Sequence, residues 1–117
     1  MTGLDSEVTP GIHRVLTPAA EAAAVLDAQG WRAVVVPSAP TTEAFYAGLA
    51  SALGLPDWFG ANLDALWDCL ADLPGPTVLV LESWQNYARR EPEVWRRILG
   101  VLAERTGQPP PFAVLLA

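Results

Sequence analysis

Apolar residues recur along this chain in two rhythms, one at intervals of about four and one continuous over five or six positions. The first marks a helix with one face turned inward, and the second a short strand covered on both faces. Pro18 to Gln29 reads as a helix, with Thr17 to cap it, Pro18 suited to its first turn and Gly30 to end it. Trp31 to Val36 reads as a buried strand closed by Pro37. Thr41 and Thr42 are candidate caps for a second helix, in which Phe45, Leu49 and Leu53 fall on one face before Gly54 and Pro56 stop it. After the loop from Pro56 to Ala61, Asn62 is placed to cap a third helix reaching about Leu73, which Pro74-Gly75-Pro76 breaks. Thr77 to Leu81 is a second apolar strand and Trp84 to Arg89 a short helical turn. Pro92 to Thr106 forms a helix with Val94, Ile98 and Leu102 together, and Gly107 with a proline-rich turn leads to a last strand, Phe112 to Leu116. Residues up to about Pro10 are polar and unpatterned, and Gly11 to Leu16 suits a short edge strand. Apolar strands separated by helices predict an α/β fold, a small parallel sheet packed with helices.

At 117 residues with 51% apolar side chains, the chain is expected to form one domain whose core needs neither metal nor disulfide. Cys69, the single cysteine, agrees. The N-terminus lacks a basic segment followed by an apolar run, and no stretch approaches the roughly 18 apolar residues of a membrane span, so the expected location is the cytoplasm. Thirteen acidic residues face seven basic ones, all arginine, for a formal charge of −6. Such a domain repels phosphate backbones and is steered towards basic partners, which argues against direct nucleic-acid binding.

On the third predicted helix, a wheel places Leu63, Leu66, Leu70 and Leu73 together with Trp67 at the border, while Asp64, Asp68 and Asp72 line the opposite side. Like charges four residues apart cost a few tenths of a kcal/mol per pair. The helix dipole accounts for Asp64 in the first turn and solvation for Asp72, which leaves Asp68 as the acid least explained by stability. Just before this helix, Asp57-Trp58-Phe59-Gly60 sets two large aromatics beside a glycine, as a protein-binding hot spot requires. The alternative is that both rings fold into the core, the outcome expected for Phe59. Enzymatic readings have less to use. Two carboxylates on one helix face do not flank a cleft as paired acid–base chemistry demands. Cys69 follows a core pattern, His13 stands alone, and there is no phosphate loop, HExxH or paired CxxC, so no catalytic residue, cofactor or metal is expected. Glu104 lies off the apolar face of its helix, the pairs Arg89-Arg90 and Arg96-Arg97 read as salt-bridged surface, and Trp31, Trp84 and Trp95 as core.

The run from Leu55 to Leu70, LPDWFGANLDALWDCL, closely resembles the signature of the barstar family of intracellular ribonuclease inhibitors. NLDALWDCL is long and specific, and the resemblance extends through Val78 to Glu82 and more loosely over about residues 31–117. It implies a barstar-like fold with a small three-stranded parallel sheet and no enzymatic activity. Residues 1–30 then form an N-terminal extension, with an extra helix, on a core of residues 31–117. By the resemblance, Asp68 matches the aspartate that takes the place of the substrate phosphate in the nuclease active site, and Asp64 a second acid that meets a guanine-site arginine. Gly60 and Asn62 match positions of the same surface, Trp67 a tryptophan at its border, and Glu104 a helix glutamate that reaches a nuclease arginine. Trp58 stands where the family has a tyrosine that stacks on a histidine, Leu73 near a family tryptophan, and the turn after it is one residue longer. The implied partner is a basic secreted ribonuclease bound one to one by a protein that is monomeric when free. The alternative is an immunity or antitoxin module directed at another basic toxin domain, which the extension and Trp58 keep open. A small enzyme using Asp64 and Asp68 is a third, weaker reading.

Overall fold

The computed structural model describes residues 8–56 and 62–117. The elements run β1 (Gly11–Arg14), α1 (Ala19–Ala28), β2 (Arg32–Val36), α2 (Thr42–Leu53), α3 (Leu63–Ala71), β3 (Thr77–Leu81), α4 (Trp84–Arg90), α5 (Pro92–Arg105) and β4 (Phe112–Leu116). The strands form one sheet in the order β1-β4-β3-β2, every neighbouring pair parallel. Among the described residues the expected three-strand sheet is thereby corrected to one of four strands. The short segment Gly11–Arg14 pairs with β4 in full register, Gly11 opposite Ala113 and Arg14 opposite Leu116, so what suited an edge strand is one.

Alternation along β3 and β4 explains why both strands are apolar throughout. Leu79, Leu81, Phe112, Val114 and Leu116 face a core shared with α2, α3 and α5. Val78, Val80, Ala113 and Leu115 face the other way, onto Ala19, Ala22, Ala23 and Leu26 of α1. A parallel sheet buried on both faces has no polar side to present. α1 is therefore the second layer, and its alanines let it lie close to the strands. β2, expected to be buried, is instead the opposite edge: only Val36 is fully buried, and Arg32 is exposed. Its Ala33 N–H turns away from β3 and donates to Asp27 Oδ1 at 3.1 Å, which satisfies an edge donor from the end of α1.

The helix ends follow local chemistry. Thr41 accepts the Ala44 N–H at 3.0 Å, and Asn62 accepts that of Ala65 at 2.8 Å. Thr17 does not cap α1, because Pro18 occupies the cap position with ψ 144° and the helix starts one residue later, bonded through Ala22 N–H to the Pro18 carbonyl at 2.9 Å. Gly30, at φ +97°, closes α1: its N–H reaches the Asp27 carbonyl at 3.1 Å and that of Trp31 the Leu26 carbonyl at 3.1 Å. Trp95 is buried, edge-on to Phe45 and Tyr87 and stacked on Trp84 at 5.6 Å, whereas Trp84 and Trp31 are only half-buried. No helix among the described residues is long and apolar enough to cross a membrane.

Candidate functional site

The acidic helix is α3. Leu66 and Leu70 are wholly buried and Leu73 nearly so, which fixes the helix on the core and leaves Asp64, Asp68 and Asp72 exposed. Asp64 sits in the first turn beneath the Asn62 cap, where an acid suits the helix dipole. Asp72 caps the other end, where an acid opposes the dipole, and the last turn holds no basic residue. Leu63 and Trp67 leave the buried set: both are half-buried, because that side of α3 borders α5 rather than the sheet.

Between the two helices runs an open groove of about 480 Å³, lined by Leu63, Asp64, Trp67 and Asp68 from α3 and by Val101 and Glu104 from α5. Three carboxylates thus meet around an apolar floor, though one lies some 40 positions further along the chain. None of the three has a cation within ion-pair distance among the described residues; the ion pair there is Arg96 with Glu93, at 3.0 Å on the surface of α5. Asp72 lies outside the groove, in a separate small cavity with Arg32, Cys69 and Leu73. Trp58 and Gly60, two of the expected contacts, lie outside the described residues, as does Phe59.

The two helices that form the groove are also joined by a residue that sequence reasoning missed. Arg105 is only 1% exposed. Its Nε donates to the Leu70 carbonyl in the last turn of α3 at 2.8 Å, and Nη1 to the carbonyls of Gln108 at 2.6 Å and Pro110 at 3.0 Å. The guanidinium lies 5.3 Å from the centre of the Phe112 ring, and Nη2 is buried with no partner among the described residues. Burial pushes its pKa down. The signal was present in the spacing: Trp95, Ile98, Leu102 and Arg105 occupy one face of α5, and an arginine ending an apolar stripe is a candidate for burial. Cys69 is buried as expected; burial, then Asp68 and Asp72, push its thiol pKa above the ordinary 9.0.

The sequence model of the family described as "Barstar (barnase inhibitor)" matches residues 31–117. The chain belongs to the barstar family. The match takes in the acidic helix, its cap and Glu104, and leaves out β1 and α1. The chain is also similar to a protein of Bacillus subtilis (strain 168) named "Putative ribonuclease inhibitor YrdF", with 46% identity over 46 residues, which cover 37% of this chain and 48% of that protein. The aligned part thus spans about half of that relative's length. In this member of the barstar family, β1 and α1 add an edge strand and a second helical layer to the matched region. Groups of histidine, cysteine and acidic residues able to hold a metal are absent among the described residues.

Proposed function

We propose that the protein is a stoichiometric inhibitor of a basic microbial ribonuclease, which it blocks by seating the groove between α3 and α5 on the enzyme's phosphate-binding cleft. The observation that carries this reading is the convergence of Asp64, Asp68 and Glu104, without cationic partners among the described residues, around Trp67. An acid row that costs the helix some stability is accounted for when a cationic cleft supplies the missing partners. Asp68, midway along α3, takes the place of a substrate phosphate, with Asp64 and Glu104 meeting arginines to either side. Asn62, Gly60 and Trp58 extend the contact, and the Trp58 ring stacks on an active-site side chain. One inhibitor binds one nuclease and protects the producing cell from an enzyme otherwise secreted. Family membership and the name of the Bacillus relative support the inhibitor class.

The test is a titration of the protein into a panel of small secreted microbial ribonucleases, following RNA cleavage, with Asp68→Ala in parallel. Sharp one-to-one inhibition, lost in the variant, is the expected result. Inhibition undiminished by Asp68→Ala overturns the groove as the binding surface. If no ribonuclease responds, the target lies among other basic toxin domains.

A further inference from the structure

A second cavity, of about 510 Å³, lies beyond the carboxyl ends of β2 and β3, lined by Ser38, Ala39 and Pro40 from the β2–α2 connection and by Asn86, Arg89 and Arg90 from α4. It shares no residue with the acidic groove. In a chain of net charge −6, two of the seven basic residues line this cavity and, among the described residues, no acid does. Neither arginine has a carboxylate within ion-pair distance among the described residues.

The polar groups are also tethered to one another across the cavity. Arg89 Nη2 donates to Asn86 Oδ1 at 3.1 Å. Asn86 Nδ2 donates to Ser38 Oγ at 3.4 Å, and the Ser38 hydroxyl to the Ser83 carbonyl at 3.5 Å. Ser83 anchors this chain with φ +48°, a left-handed conformation unfavourable for a residue with a side chain. Two cations in the last turn of α4 suit its dipole, but the dipole explains neither the link to Ser38 on another segment nor the strain at Ser83. An arginine fork oriented by an amide, beside a second arginine, matches the geometry of phosphoryl oxygens.

We propose that this cavity binds a small phosphorylated anion, its phosphoryl oxygens held by Arg89 and Arg90 and by the remaining amide hydrogen of Asn86. The proposal is independent of the inhibitory role. Its test is an NMR titration of the isotopically labelled full chain at constant ionic strength with inorganic pyrophosphate, adenosine 5′-monophosphate and adenosine. Saturable shifts are expected at the amides of Ser38, Ala39, Asn86, Arg89 and Arg90 with the two phosphates and none with adenosine. Tighter binding of the monophosphate than of pyrophosphate identifies a nucleotide as the source of the phosphoryl group, and the reverse a non-nucleotide one. Arg89→Gln with Arg90→Gln is expected to weaken binding about tenfold. Arg96→Gln with Arg97→Gln, the same change of charge on α5, leaves it within about twofold, because exposed charges at a distance are screened. A loss below fivefold in the first variant, an equal loss in the second, unsaturable shifts, or binding of adenosine overturns the proposal.

Discussion

Arg105 Nε on α5 lies 2.8 Å from the carbonyl oxygen of Leu70 on α3, so the acidic helix, which has no basic residue in its own last turn, is fastened there by a cation from its neighbour. The carbonyls at the end of a helix carry partial negative charge and need donors. The Asp72 backbone N–H reaches the Cys69 and Leu70 carbonyls, but its carboxylate, an acceptor, supplies no further donor there. One guanidinium closes the end of α3, the turn at Gln108 and Pro110, and the face of Phe112 together.

Arg105→Met keeps much of the volume and removes every donor. With three carbonyls left without that partner, the variant is expected to lose about 1–3 kcal/mol of stability. Urea denaturation checks this. Arg105→Lys recovers only part of the loss, since an ammonium cannot reproduce the fork.

Asp68→Asn and Asp72→Asn separate binding from stability. Either relieves repulsion along α3 and is expected to raise the stability of the free protein by a few tenths of a kcal/mol. Against a responsive ribonuclease, Asp68→Asn weakens inhibition by about 3–5 kcal/mol, the cost of leaving buried cations unpaired, whereas Asp72→Asn changes it little. Thermal melts and inhibition constants on the same samples read both quantities.

Association with a basic target is expected to slow steeply as salt rises, because the attraction between the acidic groove and a cationic cleft is screened over about 10 Å at 0.1 M ionic strength. Stopped-flow mixing across a salt series measures the slope. Neutralising Glu104 lowers that slope while leaving the fold unchanged.

The Cys69 thiol titrates higher in the folded chain than its ordinary 9.0. Above pH 9 the unfolded chain therefore gives up this proton first, so stability falls as pH rises through that window and is fully retained below it. Cys69→Ala removes this part of the alkaline decline. A disulfide reagent at pH 8 is expected to react slowly with the native protein and at once with the unfolded one.

Leu26 is wholly buried between α1 and the sheet, far in role from the groove. Leu26→Ala is expected to cost about 2–5 kcal/mol of stability. Inhibition by the fraction that remains folded is unaffected, which titration of active sites at low temperature reveals.

Much of the fold could be read from residue order because the signals were local. Thr41, Asn62 and Gly30 do at the helix ends what their side chains or backbone freedom allow, and β3 and β4 match their apolar runs residue for residue. What escaped were relations that only the packed chain creates. Nothing in Arg32 to Val36 tells an edge strand from a central one, since both carry β-branched residues and the difference is which neighbour is missing. The carboxylates of α3 stood out on a wheel; that Glu104 joins them follows from how α3 lies against α5, which the resemblance supplied and the residues alone did not. The place of Arg105 at the end of the apolar stripe of α5 hinted at its burial, but its partners are backbone carbonyls, which leave no mark in a sequence.

The sheet's second face also sets where this chain can be cut. The barstar match starts at residue 31, but Val78, Val80, Ala113 and Leu115 are covered by residues that precede it. A fragment trimmed to the matched span would show water a contiguous aliphatic surface beside an unpaired β4 edge, the combination that drives chains to stack on one another. The boundary drawn by kinship and the boundary drawn by solubility therefore fall at different places, and expression of the shorter fragment is expected to end in inclusion bodies.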